Sequence, residues 1–152
     1  MKKLGIIMLC LAAMIGCQSR QVTEPDQVDR IVGDYSYKIS GVATVDSDSV
    51  QLSDEIGAME IVRIDSAKAL VTFNTLAGPA YFSYLAVNGS NLTLQPYERI
   101  IRYNRHDYAL VCSGNGTVYD KTILFEIHYA MQQPDSVRFM TADKLTMLCK
   151  KN

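Results

Sequence analysis

The chain has 152 residues and a formal net charge of −1, from 15 lysines and arginines against 16 aspartates and glutamates. That balance, with no basic stripe, leaves no electrostatic footprint for nucleic acid. The length suits one domain large enough for its own core.

Residues 1–16 read as a signal peptide. Lys2 and Lys3 precede an apolar run over residues 4–15, which ends at Gly16-Cys17. A charged start, a short apolar stretch and a small residue before the cut form the secretory pattern. A spanning helix needs about 20 apolar residues to cross roughly 30 Å of hydrocarbon, and this run meets Gln18-Ser19-Arg20 before that. Cleavage after Gly16 leaves 136 residues and removes Lys2 and Lys3, taking the net charge from −1 to −3. Residues 17–30 are polar with one proline, and read as a tether.

Met14-Ile15-Gly16-Cys17 resembles a lipobox, the motif at which bacterial lipoproteins are lipidated and cut. The resemblance implies that Cys17 becomes the lipidated first residue of a mature protein. At about 0.8 kcal/mol per buried CH₂, two or more acyl chains hold a protein on a membrane where one would not. Gln18 in place of Asp implies, by the sorting rule of enteric bacteria, the outer membrane of the cell envelope.

From residue 31 onward the period is two. Tyr35-Ser36-Tyr37-Lys38-Ile39 alternates large apolar with polar, as do Ala69-Leu70-Val71-Thr72-Phe73 and Ile123-Leu124-Phe125-Glu126-Ile127 in large part. Alternation enriched in β-branched and aromatic residues predicts half-buried strands. Eight follow, near 31–41, 57–64, 68–76, 79–87, 91–104 with a bend at Pro96, 107–114, 117–131 and 144–150. Residues 53–59 are the best helical candidate, a weak one. Asn88-Gly89 and Asn115-Gly116 are hairpin-type turn signals. Short strands joined by tight turns predict an all-β fold over residues 31–152. It would be an antiparallel meander of about eight strands closed as a barrel, with a β-sandwich as the alternative.

Cys10 leaves with the signal peptide and Cys17 takes lipid, so Cys112 and Cys149 remain. An even pair in an oxidising compartment permits one disulfide. Two separate buried thiols fit the pattern as well, because free cysteine behaves as a small hydrophobe.

No constellation calls for catalysis, a metal or a cofactor. Asp46-Ser47-Asp48 starts like a calcium loop, but Val50 breaks the ligand pattern. No His/Cys/Asp/Glu spacing matches a zinc site. Ser113 lacks the glycines of a nucleophile elbow, with Val111 and Asn115 in their places. Glu126 and His128 belong to a strand's outer face. Arg99, Arg102, Arg105 and His106, interleaved with Tyr97, Tyr103 and Tyr108, read as a charged solvent face near a strand end.

Val32-Gly33-Asp34-Tyr35-Ser36-Tyr37, Leu92-Thr93-Leu94-Gln95-Pro96-Tyr97 and Leu145-Thr146-Met147-Leu148-Cys149-Lys150-Lys151-Asn152 carry a second resemblance. Through them the chain resembles the small lipocalin-like, or calycin-like, lipoproteins of Bacteroides and its relatives. Tyr35 stands where classical lipocalins carry the Trp of Gly-x-Trp. The resemblance implies an eight-stranded barrel and, for most members, no assigned activity. It places Tyr35 and Tyr37 on the inner face, where Phe73, Phe82, Tyr84 and Phe125 could join them as ligand-lining residues. Asp48-Ser49-Val50, Asp65-Ser66-Ala67 and Asp135-Ser136-Val137 match the short O-glycosylation pattern of such bacteria, which makes Ser49, Ser66 and Ser136 candidates in expected turns. The functional expectation is a membrane-anchored binding module for a small, partly apolar ligand. The alternative is an accessory envelope protein that uses its outer surface and has no ligand cavity.

Overall fold

The structure is a computed structural model and describes residues 26–76, 78–132 and 138–152. Residues 1–16, expected to be a signal peptide, and Cys17 and Ser136 lie outside the described residues. Eight strands run in chain order: β1 (Gly33–Val45), β2 (Asp48–Arg63), β3 (Lys68–Thr75), β4 (Tyr81–Asn88), β5 (Asn91–Tyr103), β6 (His106–Tyr119), β7 (Thr122–Met131) and β8 (Met140–Lys151). Each pairs antiparallel with the next, and β1 pairs with β8, so the meander closes into a barrel. Closure removes both open edges and decides against the sandwich.

Alternation does the sorting expected of it. In β1, Tyr35, Tyr37 and Ile39 are buried while Ser36 and Lys38 are exposed. The inner faces meet in one core that includes Met59, Ile61, Val71, Leu85, Leu110, Phe125, Ile127, Leu145 and Met147. Eight strands enclose a space that side chains of this size can fill.

Two hairpins turn on non-glycine residues with positive φ at both central positions, Asp46-Ser47 and Asn104-Arg105. Asn115-Gly116 is not a turn. It lies inside β6, opposite Glu126 and Phe125, and the chain reverses instead at Asp120-Lys121. A Cβ on Gly116 would meet the Phe125 ring at 2.5 Å, so this glycine admits a core ring instead of bending the chain. The weak helical candidate at residues 53–59 is part of β2. Ser49 lies within β2 and not in a turn, whereas Ser66 is exposed between β2 and β3.

One end of the barrel is closed by residues assigned to the tether. Val28 and Ile31 are buried in the core cluster. The Tyr35 hydroxyl donates to the Ile31 carbonyl at 2.8 Å. Arg63 pairs with Asp26 at 2.6 Å and with Asp29 at 2.9 Å. The packed domain therefore begins by Asp26, since two apolar side chains here cover an end the strands leave open.

Cys112 and Cys149 are both free and buried. Cys112 pairs with Tyr129 across β6–β7, and Cys149 with Ile123 across β7–β8. Six residues of β7 separate those registers, about 20 Å at roughly 3.3 Å per residue, beyond the 7 Å or so a bridge allows. Burial pushes both thiols up to about 12, so they serve as core apolar groups and not as nucleophiles.

Candidate functional site

The seam between β4 and β5 is the shortest in the barrel. Pairing covers four residue pairs, Leu85↔Leu94 to Asn88↔Asn91, and stops short of Pro96. Proline has no N–H to give a neighbouring strand. Beyond it the two strands are joined by side chains: the Ser83 hydroxyl donates to the Gln95 carbonyl at 2.6 Å, and the Tyr81 hydroxyl to the Ile100 carbonyl at 3.0 Å.

The same proline resets which β5 residues face inward. Leu92 and Leu94 are buried before it, Tyr97 and Arg99 after it, with a register shift against β6 between Leu94 and Tyr97. A bulge adds one residue and so exchanges the two faces of a strand. That change carries Arg99 into the barrel, where it is only 7% exposed. The basic patch expected from the sequence is thereby divided: Arg102 stays outside, forked onto Asp107 at 2.6 and 2.9 Å, while Tyr97 and Tyr108 are buried.

Inside, the Arg99 Nη2 group donates to both oxygens of Glu55 at 2.8 Å, and Nη1 donates to the Tyr129 hydroxyl at 3.0 Å. The guanidinium lies 5.3 Å from the Tyr81 ring centroid and 5.6 Å from that of Tyr129, within cation–π range. The Tyr37 hydroxyl donates to Glu55 at 3.4 Å. Below this pair Phe73 stacks on Tyr97 at 5.3 Å and meets Tyr37 edge-on at 5.9 Å. Burial drives the Arg99 guanidinium toward neutrality, but the Glu55 carboxylate hydrogen-bonded to it keeps it charged, with its pKa above the ordinary arginine value. Burial also raises the Tyr37, Tyr97 and Tyr129 phenols, so these tyrosines remain neutral. The Arg99 Nε–H is buried and has no hydrogen-bond partner among the described residues.

Beside the pair lies an open cleft of about 690 Å³, lined by Glu55, Arg99 and Tyr81, by Ile56, Leu76 and Ile100, and by the Arg102–Asp107 ion pair. Ile56, Leu76 and Ile100 are exposed. Charged groups, of which Glu55 remains 31% exposed, beside exposed apolar side chains can orient a molecule that has one polar end.

Of the six expected lining residues, Tyr35, Tyr37, Phe73 and Phe125 point inward, and of these Tyr37 and Phe73 lie near the pair. Phe82 and Tyr84 do not. They are 59% and 51% exposed, on the outer face of β4, whose inner face carries Ser83, Leu85 and Val87. Both faces of β4 are apolar, so its own pattern does not set the phase. Pairing with β3 does, placing Tyr84 against the outward Leu70 and Leu85 against the buried Ala69. Arg99 and Glu55 were missed as site residues. The available signal was the parity that Arg99 shares with Tyr97 beyond Pro96. Ser113 faces His128 across β6–β7 on the outer surface, with His128 3.9 Å from Glu126.

No protein-family model matches the chain, and no curated protein matches it. Among solved structures it is similar to a redesigned β-barrel protein, with a TM-score of 0.46 and 9% identity over 84% of this chain and 96% of that one.

Proposed function

We propose that this protein is a lipoprotein of the bacterial cell envelope, anchored through Cys17, whose barrel mouth binds a small, partly apolar ligand over Arg99 and Glu55. The observation that carries the reading is the buried Arg99, whose Nε–H has no hydrogen-bond partner among the described residues, lining an open cleft beside the exposed Ile56, Leu76 and Ile100. Burying a charge pair is expensive, and an apolar core of similar volume is often as stable or more so. A pair kept beside an open cleft therefore favours recognition over packing. The site is a mouth and not a deep cup, because Tyr35, Met59, Phe125 and Met147 fill the body of the barrel.

The filled interior also favours a second reading, an accessory envelope protein that works through its outer surface. Native mass spectrometry of protein purified from its own envelope separates the two. Wild type should retain a small molecule that Arg99→Gln loses while staying folded by circular dichroism. Wild type with nothing bound would remove the binding reading and leave the accessory one.

A further inference from the structure

We infer that the outer face of β2, β3 and β4 lies against the bilayer surface when the protein is anchored, an inference that rests on the lipid-anchor reading of Cys17. Register brings the side chains together. Val62 pairs with Leu70 and Leu70 with Tyr84, while Thr72 pairs with Phe82 two residues further along. Val62, Ile64, Phe82 and Tyr84 are all exposed large apolar residues, and Leu70 is half-buried among them. The corresponding outer row of β1 is instead Asp34, Ser36 and Lys38. Exposed apolar side chains also stand elsewhere, Val42 on β1, Ile100 on β5 and Leu124 on β7, but register groups Val62, Leu70, Phe82 and Tyr84 into one patch.

Its position follows from where the anchor segment enters the domain. Asp26 is held by Arg63, the last residue of β2, so the described chain begins at the barrel end where Val62 and Ile64 lie. The nine residues 17–25 reach at most about 30 Å when fully extended. A tether that short places the face at a high effective concentration relative to lipid, in the millimolar range. A contact too weak to recruit a free protein is then largely occupied. The chemistry of the patch suits that partner. Lys68 Nζ lies 5.9 Å from the Tyr84 ring centroid, giving an aromatic and cationic pair of the kind that sits at the headgroup level.

The chain has no tryptophan, so one introduced residue reports alone. Phe82→Trp is placed in the full lipidated chain and reconstituted into phosphatidylcholine–phosphatidylglycerol vesicles with brominated acyl chains. Leu124→Trp, on the outer face of β7 across the barrel, is the control. The Phe82→Trp protein should be quenched at least threefold more than the control. Adding Val62→Ser and Tyr84→Ser should reduce that quenching. Equal quenching at the two positions would overturn the inference, as would a blue-shifted, concentration-dependent but unquenched emission, which marks a second copy on the face. Flotation with the vesicles is read in parallel, with Cys17→Ser as its control. Floating protein with unquenched Phe82→Trp overturns the face alone, whereas protein that does not float overturns the anchor and the face together.

Discussion

Arg99 Nη2 lies 2.8 Å from each carboxylate oxygen of Glu55, a contact between residues 44 apart that ties β5 to β2 across the barrel interior. The two partners are unequally hydrated: Arg99 is buried, while Glu55 reaches solvent in the cleft. Glu55→Ala strands a buried cation and should destabilise the protein by about 3–5 kcal/mol. The double variant Glu55→Leu, Arg99→Met should recover most of that loss in a urea titration. A double variant as unstable as the single would mean that packing, and not the unpaired charge, sets the cost.

The two classes of aromatic side chain make opposite predictions. Phe125→Ala empties a core position against Gly116 and should cost about 3–5 kcal/mol. Phe82→Ser and Tyr84→Ser change outer-face residues and should each stay within about 0.5 kcal/mol of wild type. Chemical denaturation of the three variants checks the inward and outward assignments directly.

Gly57 tests how tightly the aromatic cluster is seated. A Cβ there would lie 2.5 Å from the Tyr37 ring and 2.6 Å from the Asn74 carbonyl oxygen, a backbone atom that cannot swing aside. Gly57→Ala should therefore destabilise by about 1–3 kcal/mol. Combining it with Tyr37→Ala should relieve part of that strain, so the two effects should fall short of additive.

The thiols predict a pH dependence. Burial raises Cys112 and Cys149 from 9.0 to about 12, so the fold keeps protons that the unfolded chain releases. Their contribution is fully present below pH 9 and is lost as pH rises toward 12. Urea midpoints should fall as pH rises from 9.0 toward about 12, and Cys112→Ala with Cys149→Ala should flatten the decline. Alkylation mapped by peptide mass should label both thiols only after unfolding. Rapid labelling of either in the native protein would place it outside the core.

The residues themselves determined the eight-stranded meander. Alternation in β1, β3 and β7 sent Tyr35, Tyr37, Phe73 and Phe125 inward, because a strand with one apolar face has only one favourable way to lie. The tertiary structure decided what such a pattern leaves free. β4 is apolar on both faces, so its phase came from pairing with β3, which turned Phe82 and Tyr84 outward. Asn115-Gly116 has turn chemistry, but Phe125 needed the space and the strand ran through. The cysteines could be bridged or separate until the register set them far apart along β7. Arg99 met Glu55 because the shift at Pro96 exchanged the faces of β5 and closure brought β2 within reach. Local pattern encodes which face of a strand prefers water, whereas the meeting of two charges on different strands depends on register and closure, which belong to the whole barrel.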